Sequence, residues 1–308
     1  MIVAATGFFD GVHIGHRAVI EKACTIAREE GGRCLVITFW PHPRTVLRKE
    51  PDDLRLITSL EEKRRICLSI GADDMVVLPF SPEFARLSAE EFFREYLAER
   101  LKVDCLVLGY DHRIGSDGIS DPQKMDEALR SCGIRPVRMN DSVQESGITV
   151  SSSLIRTTLL NGDVVSAAKY LGYHYHLGGT VVQGNMIGRT IGFPTANMEP
   201  AEPLKLIPAS GVYAVAATVD GVKYPGVCNI GVRPTIADGR GMTIETHIIG
   251  FDRDIYGKEI GIEFVERIRD EVKFSGLEEL KTQLTKDRNY VANSPKVAYL
   301  CRNKNGLW

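Results

Sequence analysis

The stretch Gly7–His16, GFFDGVHIGH, follows an apolar β-branched run, Ile2–Thr6 (IVAAT), and leads into a helical pattern that runs to Glu29. Strand, Gly/Asp turn and helix in that order make the opening of a βαβ unit. The Asp10-Gly11 pair predicts a tight turn that exposes backbone donors at the helix start. There the free N–H groups and the helix dipole favour anions such as phosphate. Gly7 and Phe8 sit on the same loop and join the candidate phosphate-binding set. His13 and His16 are three apart, so on a helical turn they share a face with about 4.5 Å of axial rise between them. Two imidazoles so placed can donate hydrogen bonds to phosphate oxygens as charge builds during phosphoryl or nucleotidyl transfer. Taken alone, the pair is as readily two capping histidines or two thirds of a metal site. Its setting between a strand and a helix favours catalysis.

Outward from this loop, compact apolar runs at Arg33–Phe39, Met75–Phe80, Val103–Leu108 and Ile134–Met139 alternate with three-and-four patterns at His16–Glu29, Glu61–Ile70 and Ala89–Leu101. That alternation predicts a parallel sheet covered on both faces, with ligands at the carboxyl ends of its strands. After Ser152 the pattern changes. Two short helices, Ser153–Leu160 and Val164–Leu171, lead into His174-YHLGGTVVQG. Runs at Gly211–Asp220 and Val222–Ile230 flank the turn pair Asp220-Gly221, a strong hairpin signal. Thr243–Gly250 and Lys258–Arg267 add two strands, Leu277–Ala292 a helix, and the remaining tail reads as frayed. Strands with little helix between them predict a small barrel or sandwich. The fold class is therefore α/β plus β, with domains at 1–172 and 173–308.

Composition narrows the ligand. The chain has 308 residues, with 38 Lys+Arg against 40 Asp+Glu and a formal net charge of −2. A protein that holds nucleic acid by bulk electrostatics carries a basic excess; a single nucleotide needs only a local cluster of donors. The seven cysteines are widely spread with no CxxC pair, which is neither a disulfide framework nor a zinc site and fits a reducing compartment. Apolar stretches fall far short of the ~20 residues of a membrane span. MIVAATGFFDG passes straight into the Gly/Asp loop without a leader pattern, so the expectation is a cytoplasmic protein with no membrane or nucleic-acid partner. A homo-oligomer is left open.

The second half carries its own constellation, Gly184–Asn197, GNMIGRTIGFPTAN. GNMIGRT looks at first like a Walker A loop, but it is one residue short and Arg189 stands where the Lys would be. Further on, strand alternation over Thr243-IETHII places Thr243, Glu245 and His247 on one face and Ile244, Thr246 and Ile248 on the other.

GFFDGVHIGH resembles the HxGH loop of nucleotidyltransferases, in particular the adenylyltransferase half of bacterial bifunctional riboflavin kinase/FMN adenylyltransferases, the FAD synthetases. Thr38-FWPHPRTVL is similar to that family's Pro-x-Pro loop. Leu108-GYDHRIGSDG is similar to its nucleotide-gripping loop, with Asp111, and Val150-SSSLIR to its Ser-Ser-Thr/Ser-x-Ile-Arg signature, with Ser152, Ser153 and Arg156. GRTIGFPTAN resembles the signature of riboflavin kinases, and the likeness continues through Gly211-VYAV, Asn229-IGVRPT, Phe251-DRDIYGK and Arg269-DEVKFSGLEELKTQL. The two likenesses cover nearly all of 1–172 and about 173–290. Departures fall at His112-RIG, where relatives often read FRFG, and at Leu154 and Thr149. Each piece also has a reading without a ligand: Pro41-His42-Pro43 as a rigid loop, Ser151–Ser153 as a helix cap, Arg156 and Arg269 as surface charges. The pieces acquire meaning from their common order.

The resemblance implies a Rossmann-like HxGH nucleotidyltransferase domain, then a riboflavin-kinase-like β-barrel with a C-terminal helix. It implies that Thr195 and Asn197 help bind Mg²⁺-ATP, as hard oxygen ligands suited to that ion. Gly184, Gly188 and Gly192 would let the backbone approach the phosphates. Glu245 would be the general base toward the ribityl 5′-hydroxyl, and Arg269 a flavin contact. His13, His16 and Arg156 would stabilise adenylyl transfer. The expected function is ATP-dependent phosphorylation of riboflavin to FMN, then adenylylation of FMN by a second ATP to FAD and pyrophosphate. The ligands are riboflavin, FMN, FAD and ATP. The rival readings are a kinase with a weakened or inactive adenylyltransferase half, and a non-catalytic flavin- or nucleotide-binding regulator. A mere binder needs neither the histidine pair nor Glu245.

Overall fold

Strand β1 (Ile2–Thr6) lies at the centre of a sheet, which is why its Val3, Ala4 and Ala5 are small and wholly buried. The computed structural model describes residues 1–47, 54–110, 114–118, 120–139, 141, 143–184, 187–232, 242–303 and 307–308. Its contacts divide the chain into two compact units, Met1–Ser152 and Ser153–Trp308.

In the first unit β1 is followed by α1 (Ile14–Glu29), β2 (Arg33–Trp40), α2 (Pro43–Leu47), α3 (Leu60–Ile70) and β3 (Asp74–Pro79). Next come α4 (Ala89–Glu91), β4 (Cys105–Leu108), α5 (Pro122–Ser131), β5 (Arg135–Arg138) and a small ribbon of β6 (Gln144–Glu145) and β7 (Ile148–Thr149). The five-stranded sheet has the order β3-β2-β1-β4-β5 and every pair is parallel, as the alternating pattern predicts. Val3 stands opposite Cys34 on one side and Cys105 on the other. The order reverses between β1 and β4, and a sheet of this kind binds ligands outside the carboxyl ends of its strands at that point. The GFFDGVHIGH loop leaves β1 there.

Two elements depart from the sequence reading. The pattern over Ala89–Leu101 becomes a short α-turn that continues as a π-helix over Phe92–Arg100, closed by the Leu101 N–H on the Tyr96 carbonyl. The wider turn still buries Phe92, Phe93 and Leu97 against Leu106, Leu108 and Met125. Helix α5 was not anticipated, although Asp121-Pro122 is a helix start: the Asp121 carboxylate accepts from the N–H groups of Gln123 and Lys124.

The second unit begins inside α6 (Ser152–Leu160), after its first residue, and goes on with α7 (Val164–Leu171), β8 (His176–Val182), α8 (Ile187–Thr190) and β9 (Ala196–Pro200), then β10 (Gly211–Val219), β11 (Val222–Val232), β12 (Met242–Ile248) and β13 (Glu259–Arg269), and ends in α9 (Leu277–Ala292) and α10 (Pro295–Arg302). The strands close into a barrel in the order β10-β11-β12-β9-β8-β13, antiparallel throughout. Sequence alone left barrel and sandwich open; closure decides it and leaves no free edge. The β10–β11 hairpin turns on Asp220 and Gly221, both at positive φ (49° and 75°), as an Asp-Gly hairpin turn requires. The frayed tail is corrected. Residues 295–302 form α10, begun by the Ser294 hydroxyl and by Pro295 in the first turn. It buries Val297 and Leu300 with Val291 of α9 against Val212, Ala214, Ala216, Val227 and Val265 on the barrel wall.

Candidate active sites

The HxGH loop is held in an unusual backbone shape. Phe9 (φ 50°), Gly11 (φ 80°) and Val12 (φ 36°) all lie at positive φ. At a non-glycine residue the left-handed conformation costs about 1–2 kcal/mol, and for β-branched Val12 it is a marked outlier. Such strain persists only where the surroundings over-determine it, and here they do. The buried Asp10 carboxylate accepts from the N–H groups of Ile57 (3.0 Å) and Thr58 (3.1 Å), and the Gly11 N–H donates to Thr58 Oγ1 (3.0 Å). Ser152 Oγ donates to the Asp10 carbonyl (2.9 Å), and Thr38 Oγ1 to the Phe8 carbonyl (3.1 Å). Asp10 and Gly11 thus shape the loop. This corrects the expectation that the turn offers its donor to an anion, because the Gly11 N–H is engaged by Thr58.

The histidines are brought together as expected. His13 is the N-cap of α1, its Nδ1 accepting from the His16 N–H at 3.4 Å, which places the ring proton on Nε2. The two imidazoles stack at 3.6 Å with planes 21° apart, and Phe9 meets His16 edge-on at 5.3 Å. Capping and catalysis are compatible here, since the cap uses only Nδ1 of the His13 ring and the backbone N–H of His16. Both histidines line a cavity of ≈1040 Å³, together with Gly7, Phe8, Ser151 and Ser152. One wall is aromatic: Phe84 packs against Phe39 and Phe80, each at 5.6 Å. Pro43 of the PHP loop also lines it, and His42 meets Phe8 at 3.9 Å.

Sequence reasoning missed Thr6 in this cavity. Its buried hydroxyl, at the carboxyl end of β1, has no hydrogen-bond partner among the described residues. Asp111 lies outside the described residues. Ser153 is exposed and Arg156 half-buried on α6, both in the second unit.

In the second unit β12 alternates as expected: Ile244, Thr246 and Ile248 are buried, while Thr243, Glu245 and His247 share the other, half-buried face. Antiparallel register sets Glu245 opposite Asn197 of β9. Thr195 Oγ1 reaches Glu245 Oε2 at 3.4 Å, so Thr195, Asn197 and Glu245 converge. Gly184 leaves the room that the Asn197 amide occupies, and Gly188 the room for the Phe193 carbonyl; a Cβ at either would overlap those groups. These two glycines therefore admit groups of the chain itself. Gly192 turns at φ 83°, and Arg189 is exposed on α8.

His247 was placed on the right face without a role. Its Nδ1–H donates to the Pro194 carbonyl at 2.9 Å and its ring meets Phe193 at 5.3 Å, while Arg288 of α9 covers the Phe193 ring at 5.4 Å. Burial, with the Arg288 charge adding in the same direction, holds the His247 imidazole below its usual pKa. The PTAN loop is thus gripped at Pro194 and Thr195 by one strand face. Arg269 is bound by the buried Asp287 carboxylate through Nη2 (2.7 Å) and Nε (3.1 Å), with Gln283 donating to the same group.

Among the described residues no cluster of three or more His, Cys, Asp or Glu could hold a metal. The hydroxyl and amide oxygens of Thr195 and Asn197 suit Mg²⁺, which keeps several water or phosphate oxygens and takes few protein groups.

Two family models match in order: FAD synthetase over residues 1–154 and riboflavin kinase over 171–294. The bifunctional riboflavin kinase/FMN adenylyltransferase of Bacillus subtilis (strain 168) is 41% identical over 288 residues, 93% of this chain and 90% of that protein. The protein of the same name from Escherichia coli (strain K12) is 35% identical over 92% of this chain and 90% of its own length. The crystal structure of a protein described as a macrolide-efflux protein from Streptococcus pneumoniae matches with a TM-score of 0.86 at 32% identity, covering 95% of this chain and 94% of that one. Among the described residues here, no helix is long and apolar enough to cross a membrane. Two catalytic families joined in one order, over a length shared with relatives of both activities, leave one conclusion: the chain belongs to the bacterial bifunctional riboflavin kinase/FMN adenylyltransferases.

Proposed function

We propose that residues 1–172 carry the adenylyl transfer and residues 173–308 the phosphoryl transfer, with roles assigned to individual side chains as follows. The enzyme phosphorylates riboflavin with ATP and adenylylates FMN with ATP. In the first reaction Glu245 accepts the proton of the ribityl 5′-hydroxyl as that oxygen attacks the γ-phosphorus and the bond to the β-phosphate oxygen breaks, releasing ADP. Thr195 and Asn197 hold Mg²⁺-ATP beside it. The ion, when bound, neutralises charge on the phosphates and orients them. The observation that carries this reading is the convergence of Thr195 and Asn197 on Glu245 across β9 and β12.

In the second reaction an FMN phosphate oxygen attacks the α-phosphorus of ATP and pyrophosphate leaves; no protein nucleophile is required. His13 and His16 donate to the phosphate oxygens as charge accumulates, in a site whose loop is fixed beforehand. The aromatic wall of Phe39, Phe80 and Phe84 offers the isoalloxazine an apolar face. The hydroxyls of Thr6, Ser151 and Ser152 supply polar contacts for the nucleotide. Arg156, Ser153 and Asp111 are assigned to the nucleotide, and Arg269 to the flavin, on the resemblance of their motifs. Small anionic ligands in a near-neutral chain support a cytoplasmic enzyme without a nucleic-acid or membrane partner.

The test is a flavin assay with riboflavin, ATP and Mg²⁺, resolved by chromatography. Glu245→Gln should slow FMN formation about 10²- to 10⁴-fold, the usual worth of a general base, while FAD is still made from added FMN. His16→Ala should cut FAD formation about 10²- to 10³-fold, the usual worth of a donor to developing charge, and FMN should accumulate. FAD made at the native rate by His16→Ala would refute the assignment of the histidines.

A further inference from the structure

Lys63 is a charged side chain that neither reaction uses. It stands on α3 in the sequence LEEKRR, where Glu61, Arg64 and Arg65 face solvent, yet it is 1% exposed. Its Nζ donates to the Phe8 carbonyl at 2.6 Å, lies 3.5 Å from Thr38 Oγ1 and sits 3.9 Å above the Phe8 ring. A buried lysine without a partner is expensive, so its position needs a reason. The geometry supplies one. Phe8 precedes the strained Phe9, and beyond Phe9 lie Asp10, Gly11, Val12 and His13. The loop is clamped by carbonyl on both sides of that strain, at Phe8 by Lys63 and Thr38 and at Asp10 by Ser152. Of these clamps only Lys63 brings a charge, and a charge-assisted hydrogen bond is roughly twice as strong as a neutral one.

We propose that Lys63 is a positioning residue for adenylyl transfer: its buried ammonium, bound to the Phe8 carbonyl, keeps the strained loop in the shape that presents His13 and His16 to the nucleotide. This rests on the reading of those histidines as the adenylyl-transfer pair. The ammonium also places a positive charge beneath a loop that must receive phosphates, without touching them.

The surroundings make the effect readable in pH. Lys63 faces the Asp10 carboxylate from the HxGH loop, Thr38 from β2 and the Cys67 thiol from its own helix. Arg17 of α1 acts on Cys67, and His42 meets the Phe8 ring. Burial pushes the Cys67 thiol up to about 12, so it stays neutral through the working range. Burial pulls the Lys63 ammonium down to about 8, against the upward pull of Asp10. Because the folded value lies below that of the unfolded chain, folding gains stability as pH rises from about 8 toward the ordinary lysine value. Over the same rise the neutral amine keeps an N–H on the Phe8 carbonyl but loses the charge assistance, so the hold on the loop weakens. Stability and adenylyl transfer therefore move in opposite directions, which a purely structural lysine would not produce.

The experiment uses the intact chain and its two activities. FAD formation from FMN and FMN formation from riboflavin are each followed from pH 6.5 to 9.5, in the native protein and in Lys63→Met, with thermal unfolding at each pH. In the native protein, kcat for FAD formation should fall above about pH 8 in a limb that FMN formation does not share. In Lys63→Met, kcat for FAD formation at pH 7 should be down about 10- to 100-fold, the worth of one charged hydrogen bond. The limb should vanish, FMN formation should be kept, and the unfolding temperature at pH 7 should be no lower than native. Native FAD kinetics in Lys63→Met, a retained alkaline limb, or equal loss of both activities would each overturn the proposal. His16→Ala run alongside separates the underlying reading: if it makes FAD normally, the histidine assignment fails whatever Lys63 does.

Discussion

At position 184 a hydrogen is the only side chain that fits, because the Asn197 amide fills the space where a Cβ would stand. Backbone and amide cannot both hold their places, and Asn197 is itself nearly buried, so the amide must turn away. Gly184→Ala should lower riboflavin phosphorylation about 10- to 100-fold, the scale of loss when a positioning group is displaced by about 1 Å. FAD formation from added FMN should stay native, and assays of the two half-reactions would show the split. Unchanged phosphorylation would mean that Asn197 has no fixed duty. At this scale the sequence was legible where a motif is local. The pairing of His13 with His16 and the common face of Thr243, Glu245 and His247 follow from spacing alone. The residues that hold them were not legible. Thr58 and Lys63 lie about fifty residues from the loop they fix, and in LEEKRR a buried lysine looks like any solvated charge. Nothing in one sequence reports a contact across that distance.

Elements were readable in proportion to how far their formation is local. The Asp220-Gly221 hairpin and the alternation of β12 follow from turn chemistry and a period of two, and both are present. The π-helix of Phe92–Arg100 is different: its apolar positions satisfy an ordinary helix, and the wider turn is set by packing of Phe92, Phe93 and Leu97 on the sheet. The tail was misread for the opposite reason. Ser294-Pro295 is a local helix start and Val297 and Leu300 stand three apart after it, but the run is short and only its packing on the barrel wall buries both. Helix α10 is thus an integral cover of the barrel wall, and Leu300→Ala should cost about 2–5 kcal/mol through the cavity it leaves. Riboflavin phosphorylation should become the heat-labile activity, with its inactivation temperature lowered well before FAD formation from FMN is affected. A frayed tail would show no change in either.

Over the whole molecule, two catalytic families occupy one near-neutral chain, with 38 Lys+Arg and 40 Asp+Glu. FMN, the product of one reaction and substrate of the other, is an anion. A chain with a large basic surface would retain such an intermediate by its field alone; this chain, with a pI near 6.4, has no such overall field. FMN should therefore leave after the first reaction and be captured again at the second through local contacts. Complementation between variants tests this. Glu245→Gln is expected to lack phosphorylation and His16→Ala to lack adenylylation, so neither alone converts riboflavin to FAD. Mixed in equal amounts with riboflavin and ATP, they should make FAD after a lag, while FMN rises to the level the second site needs. The lag should shorten as FMN is added and disappear when FMN is supplied at saturation. If the mixture made FMN but no FAD while each variant kept its own half-reaction, FMN would have to pass within a single chain, and release between the two reactions would be refuted.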